Sequence, residues 1–170
     1  MAKLDFVGPS NAERSLPFDA QRSINLYPVV DQTQKGKEIV ALYGTPGLLS
    51  FVNIGSGPIR GELTAANGRA FSVSGNALYE IFSTQLSTNQ GTLNSSASIV
   101  SMADNGFQLA ICDGADLYIF TYATNVFAKV TDGDFLGGGT VCFLDGYFIV
   151  SVPNSGKFQL SALYDGLTWD

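Results

Sequence analysis

Between Asn67 and Trp169 the chain writes one pattern of polar and apolar positions three times. Each copy opens on an Asn-Gly or Asp-Gly pair and continues as an alternating or wholly apolar run: Asn67-Gly68 before Arg69 to Gly75, Asn105-Gly106 before Phe107 to Gly114, and Asp145-Gly146 before Tyr147 to Val152. The three pairs begin 38 and 40 residues apart. In the first two copies a second turn follows and leads into Leu78-Tyr79 and Leu117-Tyr118. A polar two-residue turn between short strand-like runs is a β-hairpin signal. The runs Leu117-Tyr118-Ile119-Phe120 and Tyr147-Phe148-Ile149-Val150 are apolar on both faces, which suits strands sandwiched between neighbouring sheets better than a sheet with one wet face. Helical periodicity is lacking, and the 19 glycines punctuate the chain too often for long helices. The class is all-β.

A period near 40 residues with several short strands per unit predicts propeller-type blades, each a four-stranded antiparallel sheet. Three units follow from the spacing. The first, 58–95, takes strands from Ile59 to Ala65, Ala70 to Ser74 and Leu78 to Phe82, with a weak outer segment around Gly91-Thr92-Leu93. The second, 96–135, runs Ile99 to Met102, Phe107 to Cys112, Asp116 to Tyr122 and Val126 to Val130. The third, 136–170, holds Thr140 to Leu144, Tyr147 to Val152 and Lys157 to Tyr164, and is expected to stop before a fourth strand. A closed propeller takes typically 4–8 blades, so about three blades predict an incomplete ring, exposed sheet flanks and association with other chains.

Residues 1–57 read as an arm with isolated strands. Gly8, Pro9, Ser10, Asn11 and Pro17 mark an extended N-terminal arm. Ser23-Ile24-Asn25-Leu26-Tyr27 alternates and stops at Pro28, with Val29-Val30 as a continuation, so it predicts a strand with no hairpin mate beside it. Ile39 to Tyr43 and Leu48 to Val52 predict two more short strands. Ser23, Ile24, Asn25, Leu26 and Tyr27 are the candidate subunit interface, reaching a neighbouring subunit or closing the propeller.

The segments Arg22-Ser23-Ile24-Asn25-Leu26-Tyr27-Pro28, Ala41-Leu42-Tyr43-Gly44-Thr45-Pro46-Gly47-Leu48 and Phe143-Leu144-Asp145-Gly146-Tyr147-Phe148, in that order, carry a family resemblance. They resemble the packaged-DNA stabilisation, or tail-hub, proteins of short-tailed bacteriophages, and the likeness covers most of the chain. It implies β-propeller subunits that ring the tail below the portal, close the DNA exit and carry tail appendages. The partners it implies are other copies in a ring, hexamer-like, together with portal or adaptor and tail spike or needle proteins, with DNA only as passing cargo. It places the protein in the virion tail, made in the host cytoplasm. Such proteins usually continue through further blades, so the resemblance also predicts an N-terminal part of a hub.

Composition narrows the chemistry. The net charge is −6 and the nine basic residues are scattered, which leaves no patch for phosphate neutralisation on duplex DNA. No apolar run approaches the roughly 20 residues of a membrane-spanning helix. Met1-Ala2-Lys3-Leu4-Asp5 turns polar at once, which predicts no secretory signal. On that ground Cys112 and Cys142 are expected to be buried, unpaired thiols. There is no histidine, which removes the usual nucleophile relays and the commonest metal ligand. Asp113-Gly114-Ala115-Asp116 and Asp132-Gly133-Asp134 bring carboxylates together without the ligand spacing of a calcium loop, so both read as turns. Gly55-Ser56-Gly57, Gly36-Lys37 and Gly137-Gly138-Gly139 likewise lack the contexts of nucleotide-binding loops. No catalytic residue, cofactor or metal ligand is assigned, and the chain is not expected to be an enzyme. Asp165-Gly166-Leu167-Thr168-Trp169 resembles the Asp-box of sialidase-type propellers, one residue short. It motivates the alternative reading, a propeller-type domain that binds or hydrolyses a glycan.

Overall fold

Short strands joined by tight turns account for all the regular structure that the computed structural model describes, which covers residues 24–30 and 40–169. Contacts divide the chain into two units, 1–49 and 50–170. The second holds three antiparallel sheets of four strands, each following the chain order. The first sheet is β3 (Ile59–Thr64), β4 (Ala70–Ser74), β5 (Ala77–Ile81) and β6 (Ser87–Thr92). The second is β7 (Ser101–Asp104), β8 (Gln108–Cys112), β9 (Leu117–Thr121) and β10 (Val126–Lys129). The third is β11 (Val141–Leu144), β12 (Tyr147–Ser151), β13 (Phe158–Ala162) and β14 (Asp165–Trp169). The first strands β3, β7 and β11 neighbour one another in space, so the sheets stack face to face as blades do.

The turn chemistry explains the meander. Between β11 and β12 the register Leu144↔Tyr147 leaves only Asp145 and Gly146 in the loop, and both have positive φ, 50° and 90°. That is the two-residue hairpin turn whose twist matches the strands, and Asp-Gly supplies it at least steric cost. Gly166 has a different task. A Cβ there would stand 2.5 Å from Ile119 Cδ1 and 3.0 Å from Phe148 Cδ2, so glycine lets β14 lie close against the second sheet.

Two hydrophobic seams hold the three blades. Phe71, Val73 and Leu78 of the first sheet meet Leu109, Ile111, Tyr118 and Phe120 of the second. Ala103, Ala110, Cys112, Leu117 and Ile119 of the second meet Val141, Phe148, Val150 and Trp169 of the third. The second sheet is therefore buried on both faces, as its uninterrupted apolar strands β8 and β9 require.

The third blade departs from expectation by having its fourth strand, β14, formed by the Asp-box-like segment. Tyr164 adopts φ 56°, which reverses the chain at once after β13. Asp165-Gly166-Leu167-Thr168-Trp169 then runs back along it, with a bulge between Ser161 and Ala162.

In the first unit, β1 (Leu26–Val30) pairs with β2 (Val40–Gly44) in register Tyr27↔Tyr43 and Pro28↔Leu42. The continuation through Val29-Val30 is present, while the absence of a mate is corrected. In a two-stranded ribbon each strand is an edge, so a proline without an N–H is tolerated inside it. Leu48–Val52 forms no strand: Leu48 and Leu49 are exposed and their backbone has no ladder partner.

Candidate interaction site

The candidate interface residues fall at the start of the ribbon. Ser23 lies outside the described residues. Ile24 and Asn25 form the bend that enters β1, with Asn25 at φ 57° and its carbonyl accepting from Thr45 N at 2.9 Å. Leu26 and Tyr27 are the first two residues of β1. Tyr27 and Tyr43 lie opposite one another with ring centroids 6.2 Å apart, and both are about half exposed. The ribbon carries no charged residue in either strand. A two-stranded ribbon is marginal by itself in water, and Tyr27, Val29 and Tyr43 of this one are exposed. Sequence reasoning placed this surface on one strand and missed the second. The pairing signal was hidden because β1 and β2 are separated by a polar stretch, Asp31 to Lys37, instead of a two-residue turn.

Polar side chains in the blades are committed elsewhere. Arg69 in the first sheet's β3–β4 loop donates to Glu80 through Nε and Nη2, both at 2.7 Å. It also reaches the second sheet, donating to Tyr122 O at 3.2 Å and Asn125 Oδ1 at 2.7 Å. Its guanidinium carbon stands 5.2–5.5 Å from the ring centroids of Phe71, Phe120 and Tyr122, so the charge lies against aromatic faces. The hydrogen bond that Arg69 donates to the Glu80 carboxylate raises the Arg69 pKa against the opposing effect of burial. Tyr122 OH donates to Asp104 Oδ1 at 2.6 Å. Burial, and then this bond, push the Tyr122 hydroxyl far above its ordinary value.

The carboxylate clusters behave as turn chemistry. Asp113 accepts from Ala115 N and Asp116 N at 3.2 and 2.8 Å. Asp132 accepts from Asp134 N at 3.0 Å and from Trp169 N at 3.1 Å. Burial works to raise the Asp113 pKa, but hydrogen bonds from Asp116 N, Ser95 and Ala115 N hold it below the usual carboxylate range. Among the described residues no group of three or more His, Cys, Asp or Glu side chains converges as a metal site would need.

The Asp-box-like segment is also structural. Asp165 Oδ1 accepts from Leu167 N at 3.0 Å and Oδ2 from Thr168 Oγ1 at 3.0 Å. Gln108 bridges to it from the second sheet, donating to Asp165 Oδ1 at 3.3 Å and accepting from Gly166 N at 2.8 Å. Trp169 is buried and donates Nε1 to Gly166 O at 2.9 Å. The segment fastens the third blade to the second.

The cysteines part company. Cys112 is buried in the second seam and free, and burial pushes its thiol up to about 12. Cys142 is free but exposed, which corrects the expectation that both are buried. Its strand is apolar, yet the register Cys142↔Ile149↔Leu160 puts it on the face of the third sheet opposite the seam. On that face Leu144, Phe158 and Leu160 are 59%, 68% and 40% exposed. The first and second sheets each have this same face covered by the sheet that follows.

Consecutive four-stranded antiparallel sheets stacked through apolar seams, with polar side chains spent on turns and on ties between sheets, define a structural protein of β-propeller type. The chain belongs to the phage stabilisation family described as bacteriophage P22 Gp10, beta-propeller, whose family model matches residues 6–170. No curated protein matches the chain. Membership makes it a bacteriophage structural protein and implies a non-enzymatic role.

Proposed function

We propose that the chain is a component of the phage tail: a hub protein at the head–tail junction that closes the DNA exit channel and provides attachment for tail appendages. Membership of the phage stabilisation family over residues 6–170 carries this reading. The geometry supports a role exercised through surfaces. Tyr27, Val29 and Tyr43 of the β1–β2 ribbon are exposed, while the described carboxylates and guanidinium groups discussed above are tied into turns and seams. The partners are other copies of the chain in a ring, portal or adaptor proteins, and tail spike or needle proteins. DNA is passing cargo: a net charge of −6 disfavours phosphate contacts along a channel. The segment Ser23 to Tyr27 is the subunit interface, widened by its pairing partner β2.

The experiment compares virions assembled with and without the protein. Immunogold labelling is expected to mark the tail at its junction with the head. Particles assembled without the protein should package DNA and then lose it, measured as nuclease-sensitive genome. Particles that lack the protein yet keep their DNA and carry their appendages would remove this reading.

A further inference from the structure

We infer that Asn67 is a site of spontaneous covalent modification, at which the side-chain amide is lost to the backbone nitrogen of Gly68 and the residue becomes aspartate or isoaspartate. The turn that changes is one that ties the first blade to the second.

The chain holds two Asn-Gly pairs, Asn67-Gly68 and Asn105-Gly106, at the same place in successive blades, between the first and second strands. In such a pair the Gly nitrogen can close on the Asn Cγ because no Cβ stands in the way. The new N–Cγ bond forms as the Cγ–Nδ2 bond breaks, and Nδ2 leaves as ammonia with the proton of the Gly nitrogen. One water then opens the five-membered imide. Cleavage at one carbonyl gives aspartate, and cleavage at the other gives isoaspartate, in which the backbone runs through Cγ. Only water is consumed.

The surroundings separate the two pairs. Asn67 is exposed, and among the described residues its side chain makes one hydrogen bond, Oδ1 accepting from Arg69 N at 3.0 Å. Its Nδ2 is free to leave into solvent. Gly68 is exposed too, and its N–H is held by Ala65 O at 2.9 Å, a neutral bond of a surface turn that water can replace. Asn105, by contrast, is 8% exposed. Its Oδ1 accepts from Phe107 N and Gln108 N at 2.9 and 2.6 Å, and its Nδ2, the leaving group, donates to Tyr164 O at 3.3 Å. Gly106 N donates to the Asp104 carboxylate at 3.1 Å. The attacking nitrogen must shed its proton, and a carboxylate at that proton opposes the loss. Space does not separate the pairs, since a Cβ on either glycine would meet nothing within 4 Å. The β3–β4 turn lies at the strand ends, and with the second sheet seated beside it Asn67 stays exposed.

The change matters because of what the turn holds. Ala66 N donates to Asp104 Oδ2 of the second sheet at 2.7 Å, and Arg69 reaches Tyr122 O and Asn125 Oδ1. Isoaspartate puts one more carbon into the backbone between Ala66 and Arg69, which shifts one tie against the other and weakens the first seam.

The test follows the full chain, native and in urea, through prolonged incubation at mildly alkaline pH. Peptide mapping by mass spectrometry reads Asn67 and Asn105 separately, and enzymatic methylation of isoaspartate counts that product. In the native chain Asn67 should convert at least about tenfold faster than Asn105, which waits for local opening, and in urea the two rates should converge. The isoaspartate signal of the native chain should disappear in Asn67→Gln, whose longer side chain does not form the five-membered ring. An aged native chain should unfold at a lower urea concentration than a fresh one, and aged Asn67→Gln should not shift. Asn67 converting no faster than Asn105 in the native chain, a difference that persists in urea, a signal retained by Asn67→Gln, or an aged, converted chain as stable as a fresh one would overturn the inference.

Discussion

Replacing Arg60 with Met should unfasten the crossover between the first and second blades. Arg60 is 4% exposed and all its donors are used. Nε donates to Ser98 O at 2.7 Å, Nη1 to Gly75 O and Ser95 O at 2.8 Å, and Nη2 to Ser95 Oγ at 2.8 Å and Ala97 O at 2.7 Å. One side chain thus holds the connector from β6 to β7 against β3. Neither ion pair among the described residues involves it; the nearest compensation runs through the Ser95 hydroxyl, which also bonds Asp113. Summing five charge-assisted bonds at about 1.5–3 kcal/mol each would overstate the cost. Ala97 and Ser98 are exposed, so their carbonyls regain water when the guanidinium goes. The acceptors on the less exposed Gly75 and Ser95 do not, and two or three shielded acceptors at about 1–1.5 kcal/mol give a loss of roughly 3 kcal/mol. That is about a hundredfold in the unfolding equilibrium. Urea unfolding of the full chain, followed both by far-UV circular dichroism and by Trp169 fluorescence, measures it. Arg60→Lys keeps the charge but offers three donors from one atom, without the planar fork, and should lose about half as much. An Arg60→Met chain within about 0.5 kcal/mol of the natural one, or full rescue by lysine, would refute the account of the connector.

Cys142 should react with a maleimide in the native protein, while Cys112 should label only after denaturation; equal native rates would contradict the placement of Cys142 on the uncovered face. Gly166→Val should destabilise by about 2–3 kcal/mol, because its side chain would press on Ile119 and Phe148 in a packed seam, and the same denaturant curves would reveal it. Acid should weaken the tie between the second and third blades: burial raises the Asp165 pKa, but bonds from Leu167 N, Gln108 and Thr168 outweigh it and leave the group below its ordinary value. A carboxylate lowered on folding contributes stability above its unfolded pKa and loses it as pH falls through the folded one. The stability gap between the natural chain and Asp165→Asn should therefore be present at neutral pH and close in acid, and a gap that widens in acid would show the bonding is not to the charged form.

The blades were legible because their information is local. Asn-Gly and Asp-Gly turns, period-two alternation and the apolar runs of β8, β9 and β12 each signal structure within ten residues, and their recurrence carried the fold. Where the sequence reading failed, the deciding term was not local. The strand β14 was not expected, since the third unit reads as stopping before a fourth strand, and what places Asp165 to Trp169 there is its docking on Gln108 and Ile119, more than 45 residues away in the chain. The exposure of Cys142 follows from which face of β11 is covered, a fact of sheet stacking that strand composition does not encode. The mate of β1 lay beyond a polar stretch with no hairpin turn to announce it. Of the candidate segment Ser23 to Tyr27, the alternation signals the strand, while the pairing of Tyr27 with Tyr43 depends on the register.

The distribution of polar groups argues for what kind of work the chain does. Asp104, Asp113, Asp132 and Asp165 each accept from backbone N–H groups, and Glu80 is consumed by Arg69 and Gln90. These bonds fix each carboxylate in one orientation, and at Asp113 and Asp165 they outweigh burial and hold the group below the usual carboxylate range, which suits a fastener and obstructs a proton carrier, whose pKa must lie near the working pH. The same kind of bond makes each seam directional: Arg69 meets Asn125 and Gln108 meets Asp165, so a blade cannot slide along its neighbour without breaking these hydrogen bonds. Apolar faces alone would tolerate such slippage. Seams fixed by apolar packing and by such ties suit a rigid body, in keeping with the structural role that the family match supports.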